Sequence, residues 1–186
     1  MAMQVGPLIG SRSSWSLTSI AAAIVAFDLW AKELAETHLS PAEPVRVIGD
    51  AVRLTLVHNS GTAFGLFPGN RLPFILFSLV AIVVIVVMYR RLHERHAVQI
   101  TAMGLLLGGA IGNLHDRIRF GEVTDFLQIG VRGHYWPVFN VADSAITVGV
   151  VLLVLTLLRG DGQHDEAQVL VGDAGDSDEV ALPPSG

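Results

Sequence analysis

The sequence predicts a membrane α-helical protein with four transmembrane helices and a small extracytoplasmic β layer. Only 16% of its 186 residues are charged, whereas a soluble domain typically carries about 25%. Four long stretches are almost free of charge, and a helix of about 20 apolar residues crosses a bilayer. Two further segments alternate apolar and polar residues, which is typical of half-buried strands.

The composition excludes several classes of protein. A net charge of −5 gives no basic field for nucleic acid. Without cysteine the chain has no disulfides, no Cys-ligated zinc, no iron–sulfur cluster and no Cys nucleophile. The histidines lack metal-ligand spacings such as H-E-x-x-H. We therefore expect no metal, no cofactor and no nucleic-acid partner, and we expect a monomer surrounded by membrane lipids.

The first apolar stretch, residues 17–31, has two interpretations. Arg12 precedes it and it contains three consecutive alanines, so it could be the core of a signal peptide. However, these alanines lie inside the apolar run, and no small-residue cleavage site follows before Lys32. We therefore interpret residues 17–31 as an uncleaved first span.

The other three stretches are residues 72–89, 97–114 and 138–158. Residues 72–89 leave no polar helix face, which argues against a soluble bundle. The third stretch carries small residues four apart, a spacing that lets helices approach closely and that favours packing over a phosphate-binding loop. These small residues are Gly104, Gly108 and Gly112.

The placement of basic residues predicts the orientation. An even number of spans leaves both termini on one side, and Arg90, Arg91 and Arg95 crowd into the connector on that side. The positive-inside rule then makes that side cytoplasmic. We expect a cytoplasmic N-terminal segment (1–16), a four-span domain (17–158) and an acidic, disordered cytoplasmic tail (159–186).

The β layer is predicted on the opposite side. Residues 45–58 alternate apolar and polar side chains around a Gly-Asp break, and residues 122–129 place alternate apolar residues and Asp125 on one side of a strand.

Asp143 lies inside the fourth apolar stretch. Inserting an ionised Asp at the centre of a bilayer costs roughly 2.5–3.5 kcal/mol of free energy, so its position needs a reason. Counted from Pro137, it lies about 9 Å into the helix. Asn140 and Thr147 fall on the same helical face, which predicts an inward polar stripe. The alternative is that this stripe only joins helices by hydrogen bonds.

Asp125 lies between the third and fourth spans, in a segment rich in turn formers that can fold back over Asp143. Two neighbouring carboxylates share one proton and can hydrolyse a peptide without a metal. The alternative is a surface acid at a strand edge.

Three further charged groups have structural explanations. Asp28 and Lys32 have the i,i+4 spacing of an ion pair, in which the lysine can extend towards the interface. Arg117 can clamp a carbonyl or a phosphate-bearing group, or it can be an interface anchor or a partner for Asp116.

Four sequence blocks occur in order along the chain. They are D-L-W-A-K at 28–32, H-N-S-G-T-A-F-G at 58–65, G-G-A-I-G-N-L-H-D-R-I-R-F-G-E-V-T-D-F at 108–126, and F-N-V-A-D-S at 139–144. With the four-span layout, which covers roughly residues 17–158, these blocks resemble the lipoprotein signal peptidases, the bacterial signal peptidase II family of aspartic peptidases. Ser60 and Thr62 depart from the Arg and Ala that are more frequent in the family.

The resemblance implies roles for individual residues. Asp125 and Asp143 match the catalytic dyad. The positions that line the site and hold the substrate are Asn59, Asn113, Arg117 and Asn140. The supporting positions are Asp28, Lys32, Asp116, Gly61 and Gly112.

The implied substrate is a diacylglyceryl-modified prolipoprotein, cleaved on the amino side of its lipidated cysteine near the extracytoplasmic face of the bacterial inner membrane. Two other hypotheses remain open at this point. One is a proton- or ion-coupled carrier that uses Asp28 and Asp143, and the other is a non-enzymatic scaffold in which the acids only join helices.

Overall fold

The computed structural model describes residues 12–61, 70–92 and 96–175, with side chains for 13–61, 70–92 and 96–158. Each of its four long helices contains a segment long and apolar enough to cross a membrane, as the sequence predicts. The helices are α1 (Arg12–His38), α2 (Leu72–Arg91), α3 (Ala97–Arg119) and α4 (Val141–Gly175). The strands are β1 (Val45–Ile48), β2 (Val52–Asn59), β3 (Val123–Val131) and β4 (His134–Tyr135).

The strands form one antiparallel sheet in the order β1-β2-β3-β4, which confirms the predicted β layer. β1 and β2 lie between α1 and α2 in the chain, and β3 and β4 lie between α3 and α4. Because successive spans alternate in direction, both connections lie at the same end of the bundle. The sheet therefore lies at one end of the four-helix bundle.

The pairing of β2 with β3 brings two predicted site residues together. His58 is opposite Thr124, and Asn59, the last residue of β2, is opposite Val123. Asn59 consequently lies diagonally across from Asp125, within reach of a side-chain contact.

α3 is the central helix of the bundle, and it packs against the other three. Met103, near its middle, is almost fully buried. A Cβ atom at Gly104 would lie 2.8 Å from Ile20, and one at Gly108 would lie 2.8 Å from the carbonyl oxygen of Ala21. The predicted small-residue packing is confirmed, because only glycine lets α1 come this close.

α2 contrasts with α3, because none of its residues is buried. Large apolar side chains such as Phe77 and Val80 are more than half exposed. A soluble bundle would cover such a surface, whereas lipid is a favourable neighbour for it.

Both ends of the predicted four-span domain differ in the structure. Residues 12–16 belong to α1, and residues 159–175, predicted to be disordered, continue α4 as a helix. The acidic composition of this segment does not by itself end a helix, and the first proline after Leu158 is Pro183. Residues 1–11 and 176–186 lie outside the described part of the chain.

Candidate active site

The start of α4 is fixed against the sheet. Phe139 and Leu127 form an isolated antiparallel bridge, in which the Phe139 N–H donates to the Leu127 carbonyl at 2.9 Å and the Leu127 N–H donates to Phe139 at 2.8 Å. The next residue, Asn140, is fully buried, and α4 begins at Val141. This bridge holds the beginning of α4 beside β3.

Asn140 and Asp143 cap the helix reciprocally. The Asp143 N–H donates to Asn140 Oδ1 at 2.9 Å, and the Asn140 N–H donates to Asp143 Oδ2 at 3.3 Å. This is the arrangement of a capping box. It places Asp143 in the first turn of α4, so the predicted depth of about 9 Å into the helix is wrong.

The predicted inward stripe of polar residues is also wrong at Thr147. This residue is exposed, and its hydroxyl donates to the backbone carbonyl of Asp143 at 2.9 Å. The Asp143 side chain points back over the helix N-terminus towards Asn140. In the turn that follows, the residue that faces the bundle is Ala145, which is buried.

Asp125 is the third residue of β3 and is only 2% exposed. Asn140 Nδ2 donates to Asp125 Oδ1 at 2.7 Å, and Asn59 Nδ2 donates to Asp125 Oδ2 at 2.9 Å. The alternative of a surface acid is therefore wrong. Asn140 contacts both acids through different groups: its side-chain N–H donates to the Asp125 carboxylate, and its backbone N–H donates to the Asp143 carboxylate.

Burial raises the pKa of Asp125 to about 6, because a buried carboxylate loses its hydration. The negative charge of Asp143 contributes to this rise in pKa, whereas the hydrogen bonds from Asn59 and Asn140 oppose it. Asp125 therefore keeps its proton to a higher pH than an ordinary aspartic acid.

Asn113, on α3, is the second amide of the site. Its Nδ2 donates to Asp143 Oδ1 at 2.7 Å. Its Oδ1 accepts hydrogen bonds from Asn140 Nδ2 at 3.1 Å and from Lys32 Nζ at 3.3 Å. Since an amide group can both donate and accept, Asn113 connects Asp143 to Asn140 and to α1.

A buried ionic cluster lies next to this network. Lys32 Nζ is 2.7 Å from Asp28 Oδ2 and 2.7 Å from Asp116 Oδ2. The predicted Asp28–Lys32 pair is confirmed, but Lys32 does not extend to the interface, because its side chain is only 5% exposed. Asp28 Oδ1 also accepts a hydrogen bond from the Ala142 N–H at 2.8 Å. A Cβ atom at Gly112 would lie 2.6 Å from Asp28 Oδ2, so a glycine leaves room for this carboxylate.

Arg117 lies one turn after Asn113 on α3. Its guanidinium donates to the Asn113 carbonyl at 3.2 Å and to the Ser78 hydroxyl at 3.5 Å. Asp116 forms its short ion pair with Lys32 instead of Arg117. Arg117 also interacts electrostatically with Asp143 and Asp125.

Gly61 shapes the turn that follows Asn59. The Gly61 N–H donates to Asn59 Oδ1 at 2.9 Å, and Gly61 has a φ of +80°. A Cβ atom there would also lie 2.7 Å from the Phe74 ring. Both observations favour glycine. Residues 62–65 of the same sequence block lie outside the described part of the chain.

Sequence analysis missed two residues that contact the site through their backbones. The Thr124 N–H donates to Asp116 Oδ2 at 3.4 Å, and the Thr124 carbonyl accepts from Asn140 Nδ2 at 3.3 Å. Ala142 donates its N–H to Asp28. Backbone groups are present in every residue, so no residue type signals these contacts.

The fold and the site together define a membrane protein in which asparagine side chains hydrogen-bond two carboxylic acids, Asp125 and Asp143. These acids lie where the helices meet a small sheet. Residues 20–159 match the family model for signal peptidase (SPase) II. The chain therefore belongs to the signal peptidase II family, whose members are proteases.

Similar proteins that are named lipoprotein signal peptidases agree with this assignment. The chain is 40% identical over 145 residues to a lipoprotein signal peptidase of Moorella thermoacetica, covering 78% of this chain and 94% of that protein. It is 42% identical over 151 residues to a lipoprotein signal peptidase of Syntrophotalea carbinolica, covering 80% and 94%.

Two solved structures of bacterial membrane enzymes share the fold. One has a TM-score of 0.72 at 31% identity and covers 78% of this chain and 93% of its own, and the other has a TM-score of 0.70 at 28% identity and covers 91% and 95%. Because the family consists of proteases, membership does not favour the hypothesis of a proton- or ion-coupled carrier. It also argues against the hypothesis of a non-enzymatic scaffold.

Proposed function

We propose that the protein is an aspartic endopeptidase that removes the signal peptide from diacylglyceryl-modified prolipoproteins, cleaving on the amino side of the lipidated cysteine. The relatives named lipoprotein signal peptidase support this substrate class. The observation that carries the mechanism is the Asn140 side chain, which hydrogen-bonds Asp125 and caps the helix at Asp143.

In the proposed first step, water attacks the carbonyl carbon of the scissile peptide bond. The ionised Asp143 takes a proton from this water, while Asp125 donates its proton to the carbonyl oxygen. The burial that raises the pKa of Asp125 to about 6 supports its role as the acid. Asp143 lies in the first turn of α4, where the helix dipole favours an anion.

The second step reverses these roles. Asp143 gives its proton to the amide nitrogen, Asp125 recovers a proton from the tetrahedral intermediate, and the C–N bond breaks. The pair returns to its starting state with one shared proton, so no covalent intermediate and no metal are needed.

The surrounding polar residues hold the acids and the substrate. Asn59, Asn113 and Asn140 fix the carboxylate oxygens by the hydrogen bonds described above. Arg117 interacts electrostatically with both acids, and we assign its guanidinium to the substrate backbone, whose carbonyls accept its N–H groups.

We assign the sheet end of the bundle, and with it the site, to the extracytoplasmic face of the bacterial plasma membrane. Arg90 and Arg91 end α2 at the opposite end of the bundle, and the positive-inside rule makes that end cytoplasmic. A lipid anchor on the substrate keeps its peptide at the membrane surface, where the sheet meets the helices.

The test is cleavage of a diacylglyceryl-modified precursor by the purified protein. We expect Asp125→Asn and Asp143→Asn each to abolish cleavage, because either change removes an acid or a base. The matched control is Asp50→Asn, at an acid with 61% of its side chain exposed between β1 and β2, which should cleave normally. Normal turnover by either dyad variant refutes the mechanism, and cleavage of the unmodified precursor at the same rate refutes the substrate class.

A further inference from the structure

Glu36, near the end of α1, binds two strands of the sheet. Its Oε1 accepts a hydrogen bond from the Thr124 hydroxyl at 2.7 Å and lies 2.9 Å from His58 Nε2. His58 and Thr124 are directly opposite each other in the β2–β3 pairing. One carboxylate of α1 therefore fastens both strands at a single position.

This position is next to the proposed catalytic acid. Asn59 follows His58 and Asp125 follows Thr124, and successive side chains of a strand point to opposite faces of the sheet. On one face the pair contacts Glu36, and on the other face Asn59 donates a hydrogen bond to Asp125. A shift of the strands at Thr124 therefore moves Asp125.

Thr124 is held from three directions. Besides the contact of its hydroxyl with Glu36, its N–H donates to Asp116 on α3 and its carbonyl accepts from Asn140 at the start of α4. The side chain of Glu36 is 37% exposed, and it lines a cavity of about 720 Å³. A change at Glu36 therefore removes two hydrogen bonds without filling or emptying a packed core.

We propose that Glu36 is a positioning residue for the reaction, which fixes Asn59 and Asp125 through His58 and Thr124. This inference rests on the proposed function. A displaced Asp125 transfers its proton poorly, so the loss of Glu36 lowers kcat and leaves the affinity for substrate nearly unchanged. Small misplacements of catalytic groups can cost large factors in rate.

The experiment measures kcat and KM for the purified full-length protein with a diacylglyceryl-modified precursor. We expect Glu36→Leu to lower kcat about tenfold, with KM within about twofold. Glu36→Gln should restore most of the rate, because an amide oxygen also accepts from Thr124. The control is Glu33→Leu, at an exposed acid that lines the same cavity, and it should leave both constants unchanged.

A second variant keeps the test decisive if Glu36→Leu does not fold. Thr124→Val removes the hydroxyl but keeps the backbone contacts, and it should reproduce the loss in kcat. Combined with Glu36→Leu it should add little, because both changes remove the same interaction. Wild-type kcat in both single variants, a loss confined to KM, or an equal loss in Glu33→Leu overturns the inference.

Asp143→Asn, measured in parallel, separates the two proposals. If Asp143→Asn is inactive and Glu36→Leu is fully active, only the positioning inference fails. If Asp143→Asn cleaves normally, the proposed mechanism fails, and the positioning role of Glu36 fails with it.

Discussion

Asn140 and Asp143 each bind the backbone N–H of the other, at 2.9 Å and 3.3 Å, across the first turn of α4. The same Asn140 donates its side-chain N–H to Asp125 at 2.7 Å. The cap of α4 and the hydrogen bond to the Asp125 carboxylate therefore depend on one side chain, and substitutions can separate these two roles.

We expect Asn140→Ala to lose about 0.5–2 kcal/mol of stability from the cap and to lose cleavage activity. Asn140→Ser should keep much of the stability, because serine also caps helices. Its hydroxyl is too short to cap Asp143 and bind Asp125 together, so activity should still fall at least about tenfold. Thermal unfolding in detergent and kcat test this, and full activity in Asn140→Ser contradicts it.

The pKa of Asp125 predicts how stability depends on pH. Burial raises this pKa from 3.8 to about 6, so between these values the folded protein binds a proton that the unfolded chain does not. The contribution of Asp125 to the free energy of unfolding therefore falls, by up to about 3 kcal/mol, as the pH rises from about 4 to about 6, and is then constant. Asp125→Asn should remove this slope. Unfolding titrations across this range test it, with Asp50→Asn as the control that keeps the slope.

The same pKa predicts the alkaline limb of the activity. If protonated Asp125 is the acid, kcat/KM should fall as the pH rises through about 6, since this ratio reports the free enzyme. A pH profile of the cleavage of a lipid-modified peptide measures it. A ratio that is level from pH 5 to pH 8 contradicts the assignment of the acid.

The buried ionic cluster predicts a contrast between two i,i+4 ion pairs. Lys32→Met leaves Asp28 and Asp116 buried without their cation, and we expect a loss of about 3–5 kcal/mol. Arg46→Met breaks the exposed Arg46–Asp50 pair, and we expect a change below about 1 kcal/mol. Thermal unfolding and the yield of folded protein compare the Lys32→Met and Arg46→Met variants. Equal losses of stability in the two variants count against the prediction.

Gly112→Ala tests the space that Asp28 needs. The added Cβ would lie 2.6 Å from Asp28 Oδ2, so the carboxylate has to move away from Lys32 or from the Ala142 N–H. We expect a clear drop in Tm and in activity. Ile118→Ala, at a position of the same helix that is 58% exposed, is the control and should be nearly neutral. An unchanged Tm in Gly112→Ala would show that Asp28 has room to shift.

The proposed mechanism uses two carboxylic acids in place of a metal ion. Within the described residues, no three His, Cys, Asp or Glu side chains are grouped to hold one. We expect cleavage to continue at the same rate after treatment with EDTA. Loss of activity in EDTA and its recovery with zinc contradict the prediction.

The spans and the strands were predictable because each depends on a local pattern of hydrophobicity. The depth of Asp143 was mispredicted because the helix was counted from Pro137 instead of from its cap. The sequence does contain a signal, since Asn140 and Asp143 have the spacing of a capping box. The acidic composition of residues 159–175 predicts disorder, so it does not reveal that α4 continues to Gly175.

Contacts between distant segments were harder to predict. Lys32 was expected to pair only with Asp28, one turn away, and its second partner, Asp116, is brought to it by the packing of α1 on α3. Likewise, Glu36 meets Thr124 only because β3 crosses the end of α1. Such partners follow from the packing of α1 against α3 and β3, which no single segment reveals.

α3 is largely buried and α2 is not, and this difference has a practical consequence. α3 contains the glycines that let the neighbouring helices approach closely, and it also contains Asn113 of the site. Substitutions on the packed faces of α3 should therefore change turnover as well as stability. α2 has no buried residue, and its outward side chains are free to vary. Adapting this enzyme to a thicker bilayer or another detergent should therefore begin with α2.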